Sequence, residues 1–316
     1  MEKLDAKLKK MNDEFVKELR RDMDNELAQI KAELPSVLAS DTECEENEVK
    51  RKAILFHNPD VDIPGVVSLQ GTHNDIDYWV NFLRSSKGGS WSDDELDPCG
   101  PMSKDELKQK FADLKNEKLT YLMLVFSGHG YRYNDEDFIC INRKDSVSLK
   151  DIKKNMEDVV DKGLLFIDAC RGEKPNAYVL SNSGFSYFET TERIDEQTTG
   201  IADVDYADKW KTEFIMKENL PEKGIVTIQS CEVKQSAVEH YYEGTEYFFG
   251  LFSRLFVEEG FNARKPLNTL DAWNNANMRM QSLDWSQCDG YVQKALYNSK
   301  LEYDAEAPCY LFSLGD

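Results

Sequence analysis

No run of 18 or more apolar residues occurs in the 316-residue chain, so the sequence predicts no membrane-spanning helix and no membrane partner. The first 26 residues are charged throughout and do not read as a secretory signal. No C-x-x-C spacing is present among the seven cysteines, which argues against a zinc or thioredoxin-type motif. Their odd number and wide scatter fit a reducing, cytoplasmic setting. Basic residues are in the minority, 39 Lys and Arg against 59 Asp and Glu, for a net charge of −20. Nucleic-acid binding rests on basic patches, so that class is set aside. An acidic surface serves either solubility or the attraction of cationic ligands, and charge alone leaves both open. There is no internal repeat, and histidine is scarce, with four in the chain.

What is present has a clear order. Hydrophobic residues make up 41 %, enough for a real core in one large domain or two modest ones. Residues 1–34 read as one amphipathic helix. Leu4, Leu8, Met11, Phe15, Leu19, Met23, Leu27, Ile30 and Leu34 recur at steps of three or four, and Pro35 ends the pattern. Such a stripe serves packing on the rest of the chain, self-association or docking of a regulatory partner. Residues 35–51 read as an acidic linker.

Beyond it, apolar runs at 53–56, 121–126, 164–167, 224–230 and 309–313 predict strands. Helices are predicted over 74–83, 104–114, 149–160, 246–258 and 269–283, with a loop at 86–100. The alternation implies a mostly parallel sheet with helices on both faces and reactive groups at the carboxyl ends of the strands. Residues 173–223 break the rhythm. They are polar and acidic without strong periodicity, which marks a long segment as functional or disordered.

Two short segments carry the chemistry. Ser127-Gly128-His129-Gly130 follows the run Leu122–Phe126, and Asp168-Ala169-Cys170-Arg171-Gly172 follows Leu164–Ile167. His129 and Cys170, 41 residues apart, are a base and a nucleophile, each beside glycine and each delivered to a strand end. A lone cysteine after an apolar run is usually a core residue, and a lone histidine is usually structural. The shared context of this pair favours thiol-based acyl transfer. His57, His73 and His240 lack such context.

Ala169-Cys170-Arg171-Gly172, with a histidine upstream, resembles the signature of the caspase-like cysteine peptidases, which include metacaspases and paracaspases. The resemblance extends from about residue 52 to 316. Leu69-Gln70-Gly71-Thr72-His73-Asn74-Asp75 resembles the metacaspase segment that opens the first helix. Ile228-Gln229-Ser230-Cys231 with Ala237-Val238-Glu239 resembles the strand and loop of the second, smaller part. The resemblance implies a three-layer α/β/α sandwich with the N-terminal helix as an extension. It also implies a large-subunit-like part (52–172), a processing linker (173–223) and a small-subunit-like part (224–316).

The same resemblance implies Cys170 as nucleophile and His129 as general base and acid, with the N–H groups of Gly130 and Cys170 as oxyanion donors. Caspases that cut after Asp carry Gln where this chain has Asp168, whereas metacaspases and paracaspases carry Asp and prefer basic P1 residues. Carried over by motif, the specificity pocket is Asp75, Ser127 and Asp168, accepting Arg or Lys. For Asp75 a helix-capping role is the alternative. Arg171 is the caspase- and paracaspase-like element of the motif.

The expected activity is endopeptidase cleavage after Arg or Lys, with self-cleavage candidates after Lys174, Arg193, Lys209, Lys211, Lys217 and Lys223. No cofactor is required. Calcium is a candidate activator by resemblance, the acidic clusters being Asp93-Asp94-Glu95-Asp97 and Asp135-Glu136-Asp137. Neither has EF-hand spacing, and no metal ligands are assigned. Alternatives are an Asp-directed caspase, a transpeptidase using the same acyl-enzyme, and a catalytically silent scaffold that binds partners through residues 1–34.

Overall fold

The computed structural model describes residues 49–173, 205–216, 224–241, 247–285, 292–299 and 309–315. The predicted helix at 1–34 lies outside them, as does the linker except for residues 49–51. A six-stranded sheet forms the centre, built from β1 (Arg51–Asn58), β2 (Leu96–Cys99), β3 (Tyr121–Gly128), β7 (Lys162–Asp168), β8 (Gly224–Gln229) and β12 (Leu296–Ser299). Its order is β12-β8-β7-β3-β1-β2. All neighbours are parallel except β12, which runs antiparallel to β8.

Strand residues alternate between two cores because successive side chains point to opposite faces. Ala53, Leu55, Met123, Val125, Leu164 and Phe166 join one cluster. Ile54, Phe56, Leu122, Leu124, Phe126, Leu165 and Ile167 join the other. The first face is covered by α1 (Thr72–Arg84), α5 (Leu251–Asn262) and α6 (Thr269–Gln281). The second is covered by α2 (Lys104–Leu114) and α3 (Leu149–Glu157). Ser103 opens α2 with a capping box to Glu106, and Ser148 caps α3. The result is an α/β/α sandwich.

The chain steps outward from β1 to β2 through α1, then back across β1 to β3 through α2 on the opposite face. That reversal opens a crevice beyond the carboxyl ends of β1 and β3. Among the described residues no helix is long and apolar enough to cross a membrane.

Several expectations change. Residues 96–99, read as loop, form edge strand β2; its Pro98 is tolerated there because an edge leaves one side unpaired. Between β3 and α3 lies an unpredicted antiparallel sheet of β4 (Gly130–Tyr133), β5 (Glu136–Cys140) and β6 (Ser146–Ser148). The helix expected at 246–258 begins at Leu251, because residues 248–250 form β10 (Phe248–Gly250) against β9 (Glu239–Tyr241). β12 has no counterpart among the predicted strands. Strand 309–313 is β13 (Leu311–Ser313), paired with β11 (Leu267–Asn268) outside the main sheet.

The largest change concerns residues 173–223. They contain α4 (Tyr206–Met216), whose Trp210 and Phe214 are each 1 % exposed. Trp210 stacks on Phe214 and meets Trp91 and Tyr121, while Arg51 lies over both indoles at 4.3 and 4.8 Å. Arg51 is bound at its far end by Glu95 and the Gly89 carbonyl. Tyr206, Trp210 and Phe214 recur every four residues in this helix, and the charged residues between them hide the pattern in the sequence. Replacing Trp210 with Ala should lower unfolding stability by about 3–5 kcal/mol, the range for deleting a buried aromatic, measured by denaturant titration. A change under about 0.5 kcal/mol would mean that α4 is not part of the core.

Candidate active site

The odd–even alternation that divides the cores also selects the site. Ser127 is two residues beyond Val125 and Asp168 two beyond Phe166, so both side chains emerge on the face covered by α1 and α5. They are register partners across β3 and β7. From above, the first turn of α1 contributes Asp75 and the start of α5 contributes Gly250 and Ser253.

Ser127 Oγ donates to Asp75 Oδ2 at 2.6 Å, and Gly250 N donates to Asp75 Oδ1 at 2.8 Å. Ser253 donates to Asp168 Oδ2 through both Oγ, at 2.7 Å, and N, at 3.2 Å. Asp75 therefore sits in a first helical turn without capping it; its carboxylate is used across the molecule. A Cβ on Gly250 would strike Asp168 Oδ2 and approach Asp75 Oδ2 to 2.9 Å, so only glycine lets the backbone lie on both acids.

Both acids are buried. Burial, then the neighbouring Asp168, pushes the Asp75 carboxyl well above the usual carboxylate range, against the Ser127 and Gly250 hydrogen bonds. Burial likewise raises Asp168. A third acid, Glu239, joins them from β9. Its carboxylate accepts Gly71 N at 2.6 Å and Gln70 N at 3.1 Å, and burial raises it too. In the sequence Glu239 falls within a resembling segment but carries no mark of a site residue. Only closure of β9 onto the loop before α1 brings it in.

The acids share a narrow cleft with His129, Cys170, Ala237 and Val238. His129 Nε2 lies 3.0 Å from the Pro59 carbonyl. A carbonyl only accepts, so Nε2 carries a hydrogen. Burial lowers the imidazole pKa, opposed by the Pro59 and Val67 carbonyls and Asp60. Burial pushes the Cys170 thiol up to about 11, and its Sγ–H points to the Ala237 carbonyl at 3.8 Å. Gly130 packs against the nucleophile loop. A Cβ there would lie 2.8 Å from the Ala169 Cβ and from the Cys170 carbonyl.

Arg171 does not line the cleft. Its guanidinium donates to Asp137 Oδ2 at 2.6 Å and to the Cys231 carbonyl at 3.2 Å. Asp137 also binds Arg132, so the loop after β7 is tied to the β4–β5 hairpin. The acidic clusters are similarly engaged. Asp93 pairs with Arg84, Glu95 with Arg51, Asp97 with Lys110, and Asp137 with both Arg132 and Arg171. Among the described residues no group of three or more His, Cys, Asp or Glu is placed to hold a metal.

Among the cleavage candidates, Lys209 and Lys211 lie on α4, and Lys211 approaches Glu95 at 3.9 Å. Lys174, Arg193, Lys217 and Lys223 lie outside the described residues.

The chain is an α/β/α sandwich with His129 and Cys170 just beyond the carboxyl ends of the adjacent strands β3 and β7. The caspase domain family matches residues 50–301, and the chain belongs to that family, a family of cysteine peptidases. Caspase-1 from Spodoptera frugiperda has a similar solved structure. Its TM-score is 0.52, its identity 13 %, and the match covers 84 % of this chain and 91 % of that one. No curated protein matches the chain.

The raised carboxyl pKa values carry a stability consequence. In the unfolded chain Asp75 ionises near its ordinary 3.8. Its contribution to folding is therefore fully present below about pH 4 and is lost as pH rises through the higher folded value. Asp75→Asn keeps both hydrogen bonds, with the amide oxygen accepting from Gly250 and the NH₂ donating to Ser127. It should raise Tm at pH 8 by about 2 °C, with the gain vanishing at acid pH, as a thermal-melt series would record. An unchanged or lower Tm at pH 8 would mean the pair is not strained.

Proposed function

We propose that the protein is a cysteine endopeptidase that cleaves after Arg or Lys. The observation that carries this reading is the convergence of Asp75, Asp168 and Glu239 on the cleft that holds Cys170 and His129. Among the described residues no Lys or Arg lines that cleft. A guanidinium or ammonium entering it meets carboxylates already ordered by Ser127, Ser253 and four backbone N–H groups, so little reorganisation accompanies binding. An acidic P1 side chain would add a further like charge to a buried acidic group. Asp-directed cleavage is therefore disfavoured.

With the thiol up and the imidazole down, the neutral pair is the resting form. His129 takes the thiol proton as sulfur attacks the scissile carbonyl, and the imidazolium returns it to the leaving amine. Gly130 and Cys170 N–H groups are the proposed donors to the oxyanion. Water, or an amine in a transpeptidation, then resolves the acyl-enzyme.

A fluorogenic panel varying P1 tests this. Turnover should follow Arg and Lys, fall roughly a hundredfold or more for Asp, and disappear in Cys170→Ala. Cleavage after Asp at comparable rate would overturn the pocket assignment, and full activity in Cys170→Ala would overturn the nucleophile.

Self-cleavage belongs to the same proposal. A substrate segment must be extended to enter a peptidase cleft, and Lys209 and Lys211 are held helical by Trp210 and Phe214. Mass spectrometry of matured protein should find new termini after Lys174, Arg193, Lys217 or Lys223 and none within 206–216. Identical nicking of Cys170→Ala protein would remove self-processing altogether.

A further inference from the structure

With His129 as the proposed base, the Pro59 carbonyl, beside that of Val67, is a group that orients it. The Pro59 carbonyl accepts His129 Nε2 and Leu69 N, each at 3.0 Å. It belongs to a loop that leaves the sheet at β1; further along, Asp62 N donates to the Arg143 carbonyl at 2.8 Å, three residues beyond Pro59. The Asp60–Arg143 ion pair is solvent-exposed, with side chains 34 % and 65 % accessible, and such pairs hold little. Val61, Ile63 and Val66 pack, with Phe138, against the small cluster of Tyr131 and Cys140 further along.

Taking His129 as the base, we infer that Asn58 is its positioning residue, acting through the Pro59 carbonyl. Asn58 ends β1, is fully buried, and pairs in register with Gly128, the residue before His129. Its Nδ2 donates to the Asp60 carbonyl at 2.9 Å and to the Cys140 carbonyl at 2.8 Å. Both partners only accept, so the amide orientation is fixed by its surroundings. Asp60 adjoins Pro59. Cys140 N in turn donates to the His129 carbonyl at 2.9 Å. One buried NH₂ group thus clamps the segment bearing the acceptor of the imidazole to the strand end bonded to the histidine backbone. Serine or alanine at 58 cannot bridge both carbonyls, and aspartate would set oxygen against oxygen. Asn58 does not line the cleft, so it acts on the base and not on the P1 side chain.

The test uses the full chain and two readouts. Asn58→Ala should lower kcat for an Arg substrate roughly ten- to a hundredfold while KM stays within about twofold, because the acidic pocket is untouched. The rate of Cys170 alkylation by iodoacetamide, followed on its peptide by mass spectrometry, should slow by about tenfold at neutral pH. In a His129→Ala background the same substitution should leave that rate within about twofold, although it lowers Tm in both backgrounds. Asn58→Ser, which retains one donor in a smaller side chain, is the second variant should alanine not fold. It should slow alkylation by an intermediate factor, again only when His129 is present. An equal slowing in both backgrounds, or a rise in KM with kcat unchanged, would make Asn58 a structural residue and overturn the inference. If His129→Ala itself leaves Cys170 alkylation unchanged, the base assignment falls instead, and the two failures are distinct.

Discussion

Two carboxyl groups buried beneath one glycine are the constraint around which this site is organised. Burying a lone carboxylate in an apolar interior is strongly unfavourable, and a second nearby makes each worse. Asp75 and Asp168 persist because each receives two hydrogen bonds, from Ser127 and Gly250 N in one case and from Ser253 Oγ and N in the other. Those donors come from β3, β10 and α5, which must therefore meet at one point. The same need excludes any side chain at position 250. Strain of this kind is retained where it serves binding, and on the proposed reading a basic P1 side chain relieves it.

The opposite end of the sheet is organised by the reverse arrangement. At the amino ends of β1 and β3 a cation, Arg51, is buried between Trp91 and Trp210 and neutralised by Glu95. Its charge is matched within the protein, so this end is an anchor and not a ligand site. α4 belongs to that anchor although it lies in a polar and acidic stretch of the chain. A cut on either side of α4 would leave it attached by Trp210, Phe214 and Tyr121. The lower end of the sheet holds the two halves of the domain together while the upper end carries the cleft.

Much of this was legible in the sequence, for identifiable reasons. Parallel strands buried on both faces read as unbroken apolar runs, so β1, β3, β7 and β8 stood out, and the residues just beyond two of them marked His129 and Cys170. Counting by twos along β3 and β7 places Ser127 and Asp168 on one face without any coordinates. The short strands β4, β5, β6, β9 and β10 were not legible, since three to five residues give too little periodicity to separate strand from loop. α4 was masked by the charged residues between its two buried aromatics. Glu239 and Gly250 were missed for another reason. Their role exists only through tertiary closure, with each touching residues about 170 positions away.

The net charge of −20 and the acidic cleft are separate properties with separate consequences. Exposed charges act through solvent and are screened beyond about 8 Å at physiological ionic strength, so the acidic surface governs encounter rates and responds to salt. Asp75 and Asp168 are shielded from counterions by the α1 and α5 segments above them, and their attraction for a bound cation is screened far less. On the proposed reading, discrimination between basic and acidic P1 residues originates in the buried carboxyls. The surface charge biases which substrates arrive. On that reading, a protein of the same composition without Asp75 and Asp168 brought together would remain as acidic in bulk and lose its means of choosing.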